Sequence, residues 1–162
     1  MAEDLNYTQI WRTLEAIQDP EIPVVSLVDL GIVHSVGIEG ETVIVALTPT
    51  FSGCPALGVM QEEIKAGLLH AGAQQVQVKL LNQPAWSTNW ITQTGRRKLQ
   101  EFGIAPPPLH DGNLAQALAR LVACPYCSST ETVVKNDFGP TLCRAIRYCH
   151  HCQQPFEQFK PI

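Results

Sequence analysis

Four cysteines fall in two short pairs, Cys124-Pro125-Tyr126-Cys127 and Cys149-His150-His151-Cys152, with 21 residues between them. A Cys-x-x-Cys turn puts two sulfurs on one side of a tight loop. Two such turns at the ends of adjacent strands supply four thiolates, the set that a tetrahedral Zn²⁺ takes in structural sites. Four thiolates also hold iron in rubredoxin-like centres, so structural zinc is the first reading of this spacing and iron the second. The four cysteines complete the site without His150 and His151, which are expected to be solvated or to sit behind the ligands. Cys143, between the pairs, is either a small buried strand residue or a spare thiol.

The sixth cysteine stands alone in Thr48-Pro49-Thr50-Phe51-Ser52-Gly53-Cys54-Pro55. As the N-cap of a helix starting at Pro55, Cys54 would meet free backbone N–H groups and the positive end of the helix dipole. Both favour the thiolate, which is the nucleophile and the metal ligand. A buried structural cysteine is the competing reading. Asp19 and Glu21 lie in a loop stiffened by Pro20 and Pro23, and read first as helix termination and surface charge. If that loop folds toward Cys54, a thiolate beside two carboxylates forms a set able to hold iron. A catalytic Cys54 would need a histidine base. His34 is the one candidate, and it falls on the apolar face of a strand, so a cysteine hydrolase is the weakest reading. No phosphate-binding glycine loop and no Ser/His/Asp set is apparent.

The elements that must position these residues follow from periodicity. Tyr7, Ile10, Trp11, Leu14 and Ile17 fall at helical spacing, capped by Asn6 with Gln9 three positions on. Asp19-Pro20 ends that helix. Ile32 to Ile38 and Val43 to Leu47 alternate as a hairpin turned at Glu39-Gly40-Glu41. Leu57, Met60, Ile64 and Leu68 give a second helix, which Gly72 ends. Val76 to Leu81 is a third strand, parallel to the second because a helix crosses between them. Trp86 and Trp90 sit in a loop, either packed on the sheet or offered to a partner. Thr92 to Phe102 is a third helix. Pro106-Pro107-Pro108 and Asp111-Gly112-Asn113 mark a linker over residues 106–122, with a helical stretch from Leu114. The first domain is therefore placed at 1–105 and a four-cysteine ribbon at 123–162. The ribbon strands are expected at 132–135, 142–148 and 155–160, with too little core to fold without a metal.

Composition narrows the function. A chain of 162 residues that is 45% hydrophobic can bury a core, which excludes wholesale disorder. A formal charge of -4 argues against nucleic acid as a partner of the whole chain. Only 16% of residues are charged, against about 25% in a typical domain, which suits a surface covered by a partner. The opening Met1-Ala2-Glu3-Asp4 lacks the basic and apolar runs of a secretory leader. The most apolar stretch, 24–36, is interrupted by Asp29, Gly31 and His34 and is too short to span a bilayer. A cytoplasmic protein is expected, whose reduced thiols serve as metal ligands or reactive groups, not disulfides.

Asp19-Pro20-Glu21-Ile22-Pro23, Asp29-Leu30-Gly31 and Thr48-Pro49-Thr50-x-Ser52-Gly53-Cys54-Pro55 resemble the MIP18-like family, also called domain of unknown function 59. Further motifs resemble one branch of it, the D subunits of bacterial phenylacetyl-CoA epoxidase (ring 1,2-epoxidase) systems. These are Pro84-Ala85-Trp86-Ser87-Thr88-Asn89-Trp90, Arg96-Arg97-x-Leu99, Gly103-Ile104-Ala105-Pro106-Pro107, Tyr148-Cys149-x-x-Cys152 and Pro155-Phe156-x-x-Phe159-Lys160. Phe138-Gly139-Pro140-Thr141 carries proline where that branch has serine. The resemblance implies an α+β class: an α-β-β-α-β iron–sulfur-cluster-assembly-like domain, then a small C-terminal zinc ribbon.

It also implies an accessory subunit, without catalysis of its own, for a multicomponent CoA-ester epoxidase (a monooxygenase) of aerobic phenylacetate degradation. The role implied is assembly or maturation of an iron–sulfur or iron centre, with Cys54, Asp19 and Glu21 as functional residues. The cofactors are then structural zinc on Cys124, Cys127, Cys149 and Cys152, and a transient iron–sulfur cluster or iron. The partners are the di-iron oxygenase or iron–sulfur reductase subunit of that system, with a homodimer as a further option, and neither nucleic acid nor membrane. Two alternatives stand beside it: an electron-transfer subunit with iron in the ribbon, and a non-catalytic structural or regulatory subunit.

Overall fold

Asn6 opens the first helix as expected. Its side chain accepts from the Gln9 N–H at 3.0 Å while the Gln9 side chain accepts from the Asn6 N–H at 2.9 Å, a reciprocal cap that satisfies two donors the helix cannot. The computed structural model describes residues 5–50 and 53–162. They divide into two compact units, Met1–Trp86 and Ser87–Ile162.

In the first unit, helix α1 (Tyr7–Ala16) buries Ile10 and Leu14. Strand β1 (Val33–Glu39) pairs antiparallel with β2 (Thr42–Leu47), and β3 (Gln75–Leu80) runs parallel to β2 without a register break. Helix α2 (Leu57–His70) is the crossover, burying Met60, Ile64 and Leu68 at four-residue spacing. A side chain at Gly67 would meet Thr13 at 3.3 Å and Ile17 at 3.6 Å, so its absence lets α2 lie close to α1. Burial stops short of the full expected stripe, since Tyr7 is half exposed and Leu57 half-buried. The turn 17–27 is closed by backbone bonds from Asp19 N–H to Val25 O and from Leu27 N–H to Ile17 O. Trp86 is buried and donates its indole N–H to Leu30 O at 2.9 Å, which makes it a packing residue of this unit. His34 departs from expectation. The β1–β2 register shifts between Val33 and Ser35, and this irregularity turns His34 out to an exposed position instead of the apolar face.

In the second unit, a short 3₁₀ turn (Thr88–Trp90) leads to α3 (Gln93–Glu101), whose Thr92 cap accepts from the Gly95 N–H at 3.0 Å. Strand β4 is Ile104–Ala105, helix α4 is Leu114–Ala119, and β5 (Thr132–Asn136), β6 (Arg144–Cys149) and β7 (Pro155–Phe159) follow. The sheet order is β4-β7-β6-β5, with β4 parallel to β7 and the other pairs antiparallel.

The division at 86/87 differs from the sequence reading, which ends the first domain at 105 and sets a linker over 106–122. Two physical reasons account for it. Ile104–Ala105 adds a strand to the ribbon sheet. The Arg96 guanidinium donates to the carbonyls of Ile91, Thr88 and Pro107, pinning the proline run onto α3. Ala117 and Val122 of the expected linker are buried as well.

Candidate metal centre and thiol loop

The ribbon site is built by two matching knuckles. Cys124 N–H donates to Ser129 O at 2.9 Å, and Cys149 N–H donates to Gln154 O at 3.0 Å. The residue after each second cysteine, Ser128 (φ 63°) and Gln153 (φ 57°), is left-handed, which turns the chain back on itself so that both sulfurs face inward. The four Sγ atoms lie within 4.8 Å of one another. Cys124 and Cys152 are 3.7 Å apart and Cys127 and Cys149 3.6 Å apart. A tetrahedron with metal–sulfur bonds of about 2.3 Å has edges of about 3.8 Å. The donor set and spacing therefore fit a four-thiolate metal, and this is the single such group among the described residues.

Backbone and burial set the thiols apart. The Cys152 N–H, aimed at the Cys149 sulfur, leads the pull of that thiol down to about 7. Burial, then the neighbouring thiols, pushes Cys152 up to about 12. Cys124 and Cys149 are buried with Ala105, Val122 and Phe156, and Cys127 and Cys152 pack against that cluster. The metal would close one side of this small core. Arg147 lies on the same face of β6 as Cys149, two residues away. It is buried, donates to Gln158 Oε1 at 2.9 Å, and leaves its Nε without a hydrogen-bond partner among the described residues. Four thiolates around a divalent ion carry net negative charge, and Arg147 is a buried cation on that face. His150 and His151 are exposed and outside the ligand group. Cys143 is buried just before β6, with its sulfur 3.0 Å from Thr141 Oγ1.

The thiol loop is arranged differently. Cys54 is half-buried. Helix α2 begins later than the sequence suggests: its cap is Ala56, and the Leu57 N–H donates to Cys54 O at 3.1 Å. An additional turn therefore precedes the helix, and Cys54 sits two residues outside the cap, not on it. Phe51 and Ser52 of the expected motif lie outside the described residues. Asp19 is buried, and its Oδ1 accepts from the Glu21 N–H at 2.9 Å and the Ile22 N–H at 2.8 Å. Its carboxylate thus holds the turn's shape. Glu21 is exposed.

The structure does not gather Cys54, Asp19 and Glu21 into one ligand group. Two shallow surface grooves, one lined by Asp19 and Pro20 and one by Pro55 and Val59, share Glu63 and Ala66 of α2. Thr48, at the end of β2, buries a hydroxyl that has no hydrogen-bond partner among the described residues. A resident iron–sulfur cluster needs four ligands, and Cys54 offers one.

Comparison with known proteins settles the lineage. The chain is 42% identical over 154 residues to an Escherichia coli (strain K12) protein named as the D subunit of 1,2-phenylacetyl-CoA epoxidase, covering 95% of this chain and 92% of that one. The chain belongs to this D-subunit family. Within it, residues 7–80 match the iron-sulfur cluster assembly protein family and residues 110–160 match the PaaD zinc beta ribbon domain. A Porphyromonas gingivalis protein named as an Fe-S protein maturation auxiliary factor is 29% identical over 92 residues, 56% of this chain and 87% of its own length. A solved domain of unknown function 59 from Bacillus anthracis is 26% identical, with a TM-score of 0.52 over 57% of this chain and 89% of that one. The family fold is the α+β one described above, followed by the ribbon. Sequence reasoning missed Arg147, Arg144 and Glu157 in the ribbon, because a charged residue in a short strand looks like a solvated face until its neighbours are known.

Proposed function

We propose that this chain is an accessory factor of a phenylacetyl-CoA epoxidase system that assembles or matures an iron–sulfur or iron centre, with Cys54 as the working thiol. The observation that carries it is the join of an iron–sulfur-assembly domain to the D-subunit ribbon in one chain. In this reading the iron or cluster is cargo. One half-buried thiol on a loop suits a group that is received and passed on, since a single ligand leaves the other positions to the donor, the client or a second copy. Asp19 keeps the adjoining loop in shape through its two backbone bonds, and Glu21, exposed beside it, supplies charge. The clients are the di-iron oxygenase or the iron–sulfur reductase subunit. Zinc in the ribbon is structural, and no helix among the described residues is long and apolar enough to cross a membrane.

Anaerobic reconstitution with iron and sulfide tests the role. The wild type is expected to develop a visible chromophore that Cys54→Ala lacks. Equal chromophore in both would remove Cys54 from the mechanism. The electron-transfer alternative draws on the four-sulfur site, whose spacing accepts iron as well. Metal analysis of protein purified without oxygen separates the two: one zinc and no redox-active iron excludes electron transfer through the ribbon.

A further inference from the structure

We propose that the ribbon sheet carries, on the face opposite Cys149, a pocket for an extended segment of a partner protein, gripping one apolar side chain and that residue's own backbone N–H and C=O. This inference does not rest on the maturation reading. Arg144 and Ile146 project from the other face of β6 than Arg147 and Cys149. The register sets Ile104, Glu157 and Ile146 in a row across β4, β7 and β6. Above this row lies an open cavity of about 340 Å³, lined also by Phe102, Tyr126 and Pro140. That volume is at the small end of ligand pockets and suits a single bulky side chain.

The polar groups say what chemistry enters. The Arg144 side chain is only 9% exposed. Its Nε donates to Thr141 Oγ1 at 3.0 Å and its Nη1 to Glu157 Oε2 at 2.6 Å. Nη2 of Arg144 and Oε1 of Glu157 make no hydrogen bond among the described residues, and both residues line the cavity. They offer one donor and one acceptor side by side. A carboxylate would satisfy the donor but meet the Glu157 charge, and an ammonium would do the reverse. A neutral extended residue satisfies both, its own C=O accepting from Nη2 and its own N–H donating to Oε1. These two groups leave a strand on the same side, while the C=O and N–H of one trans peptide bond point apart.

The rim says that this backbone belongs to a protein. Phe102 is 53% and Tyr126 58% exposed, and Phe138 and Leu142, on either side of Pro140, are 63% and 64% exposed. Phe102 and Tyr126 line the cavity and leave about half of their own surface exposed, the pattern of an anchoring pocket flanked by aromatic contacts.

The test is an NMR titration of the metal-loaded full chain with N-acetyl-phenylalanine-N′-methylamide, compared with N-acetyl-phenylalanine as its free acid. The amide is expected to give saturable shifts at Ile104, Ile146 and Glu157, and to bind about tenfold more tightly than the acid. Phe102→Ala, at an exposed position, should weaken the amide about fivefold. Glu157→Gln should erase the preference for amide over acid. Tighter binding of the acid by wild type would overturn the proposal in favour of a carboxylate site. Absence of saturable shifts with both probes would overturn it too, as would the same residues shifting with protein concentration alone, which would assign the face to a second copy of this chain.

Discussion

In the ribbon, every part of the site is supplied by the chain itself: four sulfurs, two closed knuckles, left-handed turns and a core cluster that the metal completes. In the first unit, Cys54 stands on a loop outside the helix cap, and Asp19 of the acidic loop accepts two backbone bonds with its buried carboxylate. The charge differs as well. The first unit has three basic and ten acidic residues, and the second has eight basic and five acidic. A complete ligand set favours retention of a metal and ties it to folding. An incomplete set lowers the barrier to handing a metal on. If Cys54 is the working thiol proposed above, the two regions of one chain are opposite solutions to binding metal through sulfur.

The largest effect expected from this contrast is on folding. Cys149→Ser should reduce the metal content below one per chain. It should also collapse the amide dispersion of residues 123–160, because structural metal binding is worth on the order of 10 kcal/mol in small metal domains. Residues 7–80 should keep their dispersion. If the ribbon signals survive without metal, the ribbon does not depend on metal to fold, and the contrast fails.

Acid should produce the next largest effect. The ligands are thiolates, and the Cys152 thiol, pushed up to about 12, holds its proton at neutral pH. Metal must displace that proton, and below about 7 it must displace one from Cys149 as well. Affinity should therefore rise with pH and fall on acidification, by at least about tenfold per unit. Competition with a chromophoric chelator between about pH 6 and pH 8 measures this, and a flat profile would rule out thiolate ligands.

The smallest effect expected is at Cys54. Its sulfur closes no core cluster, so Cys54→Ala should change the unfolding free energy by about 0.5 kcal/mol or less in urea denaturation, and should leave the ribbon metal in place. A larger loss would make Cys54 a structural cysteine and erase the difference between the two regions.

Much of the fold is legible in the sequence, because local rules and tertiary packing agree there. Asn6 and Gln9 form the cap that their spacing suggests, β2 and β3 run parallel, and the 21-residue spacing of the knuckles yields a four-sulfur cluster. The departures share a cause. His34 is turned outward by a register shift, which depends on how two strands settle against each other. The cap of α2 slips to Ala56, because Leu57 bonds back to Cys54 in a turn that Pro55 also allows. The expected linker packs with the ribbon because Ile104–Ala105 just before it pairs with β7, far along the chain, while Arg96 holds Pro107 against α3.

The sequence by itself determined which atoms could bind metal, since thiol chemistry and Cys-x-x-Cys spacing are local properties. It also determined the order of the helices and of the longer strands, since periodicity is local, but not the two-residue strand Ile104–Ala105. Only the tertiary structure decided which of these groups meet. It brought four sulfurs together, kept Asp19 and Glu21 out of a ligand group with Cys54, and buried Arg144 beside Glu157 at the edge of a cavity. The physical reason is that coordination and ion pairing act within a few ångströms, and such distances between residues remote in sequence are set by packing, not by spacing along the chain.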